Sequence, residues 1–183
     1  MCQKKIFLII LIMILFSGLA NAEGVFFMFK GSYFNPSEQA FREIYGSGIM
    51  FGGELAFKIW NSLDIWLDGN YLKRTGELTY TQEKTELRIV PVTFGLRYRF
   101  TSGVTNLYLG LGACHFMFHE SNVIGDVDKG GIGFKGKMGS FFSITRNLFF
   151  GLSVSYSYGK MTPAYFTINV GGIEAEAGIG FEF

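Results

Sequence analysis

Apolar and polar residues alternate with a period of two along most of this chain. The alternation is strictest at the end, where Ile173 to Phe183 reads Ile-Glu-Ala-Glu-Ala-Gly-Ile-Gly-Phe-Glu-Phe. Period two belongs to a strand, because successive side chains point to opposite faces. The same parity predicts eight strands, over residues 24–34, 48–60, 63–73, 86–100, 106–118, 131–142, 147–158 and 172–183. Each is close to the roughly 9 to 11 residues that a tilted strand needs to cross a bilayer. The connections alternate in length. Asn61-Ser62, Thr101 to Thr105 and Ser143 to Asn147 are short, whereas Asn35 to Ser47, Lys73 to Thr85, His119 to Gly130 and Gly159 to Gly171 are long. Short turns at one end and long loops at the other predict an all-β fold: an eight-stranded antiparallel up-and-down transmembrane β-barrel with its long loops outside.

Two places depart from simple alternation. Ile168 and Val170 have the opposite parity to Ile173 onward, so a bulge at Gly171-Gly172, or a strand that begins only there, must reset the face. In the first long loop, Asn35-Pro36-Ser37-Glu38 precedes Ala40, Phe41, Ile44 and Gly46. A capping-box start, a proline at the first helical position and a glycine stop predict a short helix from Pro36 to Tyr45.

The two faces differ in chemistry. One collects Val25, Phe27, Phe29, Phe51, Leu55, Leu67, Phe94, Leu96, Leu109, Leu111, Phe134, Met138, Leu152, Val154 and Ile179, with no Asp, Glu, Lys or Arg between the first and last such residue of a segment. Lys73, Glu86 and Arg88 share that parity but lie beyond these limits, above the apolar band. The other face collects Lys30, Glu54, Lys58, Asp64, Asp68, Arg97, Arg99, Lys135, Lys137, Glu174, Glu176 and Glu182, six basic and six acidic. Pointing those six cations at lipid would cost up to about 2–4 kcal/mol each near the midplane, so the apolar face is outward and the register strongly specified. Eight strands enclose a bore only wide enough for side chains, so the charges are expected to pair and fill it. A soluble eight-stranded barrel would reverse the faces and keep its apolar residues inside. Tyr33, Tyr71, Tyr98, Phe100, Tyr156 and Phe183 near strand ends match interfacial aromatic girdles.

Composition adds the compartment. Lys4 and Lys5, the apolar run Ile6 to Phe16 and the Ala20-Asn21-Ala22 ending form a secretory signal over residues 1–22, leaving a barrel domain over residues 23–183. A net charge of +1 gives no electrostatic ground for nucleic-acid binding. Of the two cysteines Cys2 falls in the signal, so Cys114 has no disulfide partner and is expected buried and inert.

With these features in place, the chain resembles the small eight-stranded outer-membrane barrels of the OmpX, OmpW and OmpA-transmembrane type, the outer-membrane protein β-barrel domain. The resemblance covers nearly all of residues 23–183 and is strongest at Phe94-Gly95-Leu96-Arg97-Tyr98-Arg99-Phe100, Leu107-Tyr108-Leu109-Gly110-Leu111-Gly112-Ala113 and Gly178 to Phe183. It implies residence in the bacterial outer membrane, outer-membrane lipids as partners, a monomer, and a terminal Phe183 read by the barrel-insertion machinery. The absence of a following peptidoglycan-binding domain argues against an OmpA-like anchor. The implied role is non-enzymatic, in envelope structure and surface interaction, with the long loops open to an extracellular ligand. An OmpW-like passage of small hydrophobic molecules is the alternative, with inward Trp66, Phe116 and Phe118 as its lining.

Four motifs bear on chemistry. Gly131 to Gly136 matches a dinucleotide-binding spelling, but it lies within a strand and has no helix after it, so no cofactor is implied. His119-Glu120-Ser121-Asn122 is similar in spelling to outer-membrane lipid A deacylases; the chemistry needs a carboxylate to orient His119 as base for Ser121, and otherwise this is a solvated loop. Asp126-Val127-Asp128-Lys129-Gly130 lacks the further ligands of a calcium loop and reads as a turn, so no metal is expected. His115 follows the outward parity and is placed near the outer rim.

Overall fold

In the computed structural model, residues 24–77, 84–102, 105–122, 125–161 and 168–183 are described; the predicted signal segment lies outside them. The strands are β1 (Val25–Pro36), β2 (Gly48–Trp60), β3 (Leu63–Glu77), β4 (Lys84–Ser102), β5 (Thr105–Asn122), β6 (Gly125–Ser143), β7 (Leu148–Met161), β8 (Ile168–Asn169) and β9 (Gly172–Glu182). One helix, α1 (Gln39–Tyr45), follows β1. Every strand pairs antiparallel with its neighbour, and β9 pairs with both β7 and β1, closing eight strands into a cylinder. The two-residue β8 extends β7 at the long-loop end.

The faces follow the parity. Phe29, Phe51, Phe94, Leu111, Ile132 and Met138 are exposed around the outside, each at 60% or more, an apolar belt that only a lipid environment accommodates. Val25 is the exception on that face and is buried beside the C-terminal strand end. Inward glycines stand where aromatic rings fill the bore: a Cβ at Gly180 would lie 2.3 Å from the Phe149 ring, and one at Gly159 would lie 2.4 Å from that of Phe116. Gly133, in the dinucleotide-like spelling, would drive its Cβ to 1.9 Å from the Tyr158 carbonyl. That glycine serves close strand packing.

Three expectations need correction. The strands flanking the supposed loops His119 to Gly130 and Lys73 to Thr85 run on as paired hairpins: His119 and Ser121 lie in β5, and Asp126 to Gly130 in β6. Hydrogen bonding between adjacent strands does not need an apolar face, so the ladder continues where the greasy pattern stops. The helix begins at Gln39, not at Pro36. Pro36 instead ends β1 opposite Gly172, and Ser37 N–H donates to the Gly171 carbonyl at 3.0 Å, drawing the capping residues into the sheet. The Glu38 carboxylate accepts from Asn169 N–H at 3.3 Å, outside any capping box. The face reset falls where expected, because β9 starts only at Gly172, after Asn169 Oδ1 has accepted from Gly159 N–H at 3.2 Å and Gly171 N–H at 3.0 Å.

Pro91 sits inside β4 and has no N–H to give. The β3–β4 pairing is interrupted there, between Gly69↔Val92 and Leu72↔Ile89.

Leu111 lies near the middle of the outer apolar face of β5. Leu111→Arg is expected to lower barrel stability by about 2–4 kcal/mol in urea titrations in lipid vesicles, whereas a soluble protein tolerates such a surface change within about 0.5 kcal/mol. An unshifted midpoint would put this face in water.

Candidate functional site

The interior has three layers. At the short-turn end, Phe26, Met28, Ala56, Trp66, Tyr108, Phe141 and Phe149 form an apolar floor. Tyr108 stacks on Phe141 at 4.5 Å between ring centroids, and Phe141 meets Phe149 edge-on at 5.0 Å.

Beside and above the floor lie ten of the twelve charges expected in the bore, five basic and five acidic, all buried. They form one connected set. Arg99 Nε forms an ion pair with Asp64 at 2.9 Å, and Asp64 accepts from Arg97 Nη2 at 2.9 Å. Arg97 donates to Glu54, and Glu54 accepts from Lys137 at 2.5 Å. Lys137 reaches Glu176 at 3.0 Å, and Lys30 bonds Glu176 at 2.6 Å and Asp68 at 2.5 Å. Lys135 joins the set through Asp68 at 3.6 Å and Glu176 at 3.7 Å, and adds Glu174 at 3.1 Å. Polar neighbours join it: Ser155 donates to Glu176 at 2.7 Å and Asn70 to Glu174 at 3.1 Å. Arg97 also lies 4.8 Å from the Phe141 ring centroid, and Lys137 5.6 Å from that of Trp66, so the floor faces the cations with ring surfaces.

Lys58 and Glu182 depart from the expectation. Lys58 is exposed beside a register irregularity between Lys58 and Trp60, and Glu182 is only half-buried. Both have inward parity, but they stand at the mouth, where water replaces a facing wall. Neither takes part in the ion-pair set.

The upper layer is apolar again: Phe34, Met50, Leu72, Leu87, Ile89, Phe116, Phe118, Met161 and Val170 pack around Phe41 and Tyr45 of α1. Positions i and i+4 share a helix face, so both aromatics point down into the bore. Gly46, at a φ of 66°, ends the helix with its N–H on the Arg42 carbonyl. Tyr45 meets Thr85 at 3.3 Å, Thr85 donates to Glu120 at 3.1 Å, and Arg74 donates to the Tyr45 carbonyl at 3.1 Å. Burial at this mouth pushes the Tyr45 phenol upward. Trp66 belongs to the floor while Phe116 and Phe118 belong to the upper layer, so the three do not line a common cavity. Cys114 is buried in the upper layer with a free thiol.

The outer face carries a second cluster that strand parity alone had not assembled. Lys73, Arg88, His119 and Asp128 sit directly opposite one another across β3, β4, β5 and β6. His119 Nδ1 and Asp128 Oδ1 are 2.6 Å apart, so the carboxylate needed to orient His119 is present. Among the described residues, no hydrogen bond joins His119 to Ser121. Glu86 bridges Lys73 at 2.9 Å and Arg88 at 2.5 Å, and those hydrogen bonds hold its carboxyl below the usual carboxylate range. The signal for this row was the unbroken parity of Met117, His119 and Ser121, and of Asp126, Asp128, Gly130 and Ile132. Among the described residues, no group of three or more His, Cys, Asp or Glu is placed to hold a metal ion.

No family model and no curated protein matches the chain. Solved structures do. The Neisserial surface protein A (NspA) matches at 20% identity and a TM-score of 0.67, over 89% of this chain and 99% of the other. Ail, the attachment invasion locus protein of Yersinia pestis, solved with the heparin analogue sucrose octasulfate, matches at 18% identity and a TM-score of 0.59, over 88% and 99%. The E. coli outer membrane protein W matches at 16% identity and a TM-score of 0.52, over 89% and 100%. The chain has the fold of the small eight-stranded outer-membrane β-barrels.

Proposed function

We propose that the protein is a non-enzymatic, monomeric integral barrel of the bacterial outer membrane, contributing to envelope structure and offering its external end for surface interaction. One observation carries this reading: the bore is filled from the aromatic floor, through a neutral set of ten paired charges, to an upper layer capped by α1. A bore packed in this way supports no solute path. Its partners are outer-membrane lipids and, during biogenesis, the insertion machinery, with Phe183 as the recognised residue at the end of β9. The attachment role in the name of the Yersinia relative supports a surface function here only through shared fold.

A second reading, hydrolysis of a lipid acyl ester, is favoured by the bond between His119 and Asp128. There Ser121 would attack the ester carbonyl, His119 would take the hydroxyl proton and pass it to the leaving alkoxide, and water would release the acyl group.

Three measurements separate these readings. In planar bilayers the refolded protein is expected to show no unitary current; discrete steps would overturn the filled bore. Incubation with lipid A is expected to release no fatty acid, whereas release abolished by Ser121→Ala would establish the hydrolase. Lys137→Met leaves Glu54 and Glu176 short of a partner and is expected to lower stability by about 3–5 kcal/mol. Lys58→Met, at the open mouth, should stay within about 0.5 kcal/mol, both read as urea midpoints in vesicles.

A further inference from the structure

Strand β6 outruns its neighbour β7. It pairs with β5 without a register break from Gly125, opposite Asn122, to Phe142, opposite Thr105, whereas its pairing with β7 begins only at Ile132, opposite Lys160. Among the described residues, no strand pairs with the far edge of β6 over residues 126–130, where Asp126, Asp128, Lys129 and Gly130 are exposed. Asp126 stands about 20 Å along the strand from Ile132 of the apolar belt, at roughly 3.3 Å per residue. Strand β3 likewise outruns β2, whose pairing stops at Phe51 opposite Tyr71. There α1 covers the edge: Arg74 donates to the Tyr45 carbonyl at 3.1 Å, and Gly76 packs against the Ile44 carbonyl.

The uncovered edge of β6 has hydrogen-bonding groups to offer. In an antiparallel ladder, successive residues turn their N–H and C=O to opposite neighbours. Gly159 gives its N–H to Asn169 Oδ1 at 3.2 Å and accepts on its carbonyl from Val170 N–H at 2.9 Å, both away from β6. Lys160 therefore turns its backbone toward Ile132, and the even-numbered residues of β6 face this side. Asp126, Asp128 and Gly130 each present an N–H and a C=O to any strand added here. The two aspartate side chains flank the edge on the outer face; Asp128 is 79% exposed beside His119, and among the described residues no cation pairs with Asp126.

A second copy of the chain fits this edge poorly. Identical strands pair antiparallel about a two-fold axis, with directly opposite residues on one face. An axis centred on Asp126, Asp128 or Lys129 sets that residue against itself, and one on Val127 sets Asp126 against Asp128. Like charges directly opposite are destabilising. A fitting partner carries Lys or Arg at two alternate positions opposite the aspartates, an apolar residue between them opposite half-buried Val127, and an acid opposite Lys129.

We infer that the open edge of β6 takes up an extended segment of another protein as an added strand, antiparallel to residues 126–130, with cationic side chains opposite Asp126 and Asp128. The proposal rests on the surface role of the external end. It depends neither on a filled bore nor on hydrolysis at Ser121.

The test titrates the refolded protein in phosphatidylcholine nanodiscs with the labelled peptide Thr-Thr-Glu-Lys-Val-Lys-Thr-Thr, read as fluorescence anisotropy. Heat-dependent electrophoretic migration verifies a folded barrel for each variant. Saturable binding is expected. Methylating the two lysine main-chain nitrogens keeps their charge but removes two ladder donors, and is expected to abolish it. The double variant Asp126→Asn with Asp128→Asn should weaken binding about threefold or more, since two opposite-charge pairs are lost. Asp128→Pro should weaken it further than Asp128→Asn, because the proline lacks only the N–H on the open side. Arg146→Gln in the opposite turn should leave it unchanged. Equal binding of the methylated peptide reduces the contact to charge attraction and overturns strand addition, and full binding by the double variant overturns the cationic partner. Self-association of the refolded protein that Asp128→Pro abolishes gives the edge to a second copy and overturns the proposal. So does the absence of binding at millimolar peptide, a result that leaves the bilayer currents and lipid hydrolysis to decide separately on the filled, non-enzymatic barrel.

Discussion

Ten charged side chains are enclosed in this cylinder with little but one another to replace water. A buried charge that loses its partner is far more costly than one at the surface, because desolvation is then uncompensated. Equality of sign is therefore a condition on the whole interior: five cations and five carboxylates, drawn from β1, β2, β3, β4, β6 and β9, satisfy it together. The links span most of the chain. Lys30 and Glu176 are 146 residues apart, and their bond can form only when β9 has closed against β1. Slipping any one of these strands by a residue would turn its charge into lipid and strand its partners inside. Barrel closure, register and charge pairing are thus one requirement seen from three sides.

The apolar layers around the charges explain how that requirement is met. The floor of Phe26, Tyr108, Phe141 and Phe149, and the upper layer under α1, exclude water from the ion pairs, which strengthens each attraction as it raises the cost of leaving one unmade. Glycines make the layering possible. Eight strands leave too little room for two large residues at the same height, so Gly180 faces Phe149 and Gly159 faces Phe116. Helix α1 closes the stack because its two aromatics, four residues apart, point the same way.

The alternation of apolar and polar residues made the barrel, its two faces and ten of the twelve bore charges legible, since lipid on one side and protein on the other impose opposite demands at each successive residue. It failed where that contrast disappears. Above the membrane both faces are wet, so His119 to Gly130 looked like a loop although its backbone still pairs. At the lower mouth Lys58 and Glu182 keep the inward parity without an enclosing wall, and parity cannot tell a bore from its opening. The helix start was misplaced because Pro36 and Ser37 carry capping chemistry, yet β1 pairs with β9 two residues further than its apolar pattern extends. The row from Lys73 to Asp128 was legible only as outward parity on separate strands, because it joins four strands and exists only once their register is known.

That row also bears on whether the outer face cleaves a lipid. With Nδ1 of His119 on Asp128, Nε2 is left to take a proton from a hydroxyl, and the imidazole alone does not decide against that chemistry. Its neighbours do. His119 shares its row with Lys73 and Arg88, whereas Ser121, two residues further out, lies directly between Glu86 and Asp126 in the sheet register. Acyl transfer at Ser121 would build negative charge on the attacked carbonyl oxygen, which needs donors and suffers beside carboxylates. Glu86 already pairs with Lys73 and Arg88, so no positive excess is left around His119, and the acidic flank lies around the hydroxyl. The charge pattern therefore disfavours Ser121 as a nucleophile.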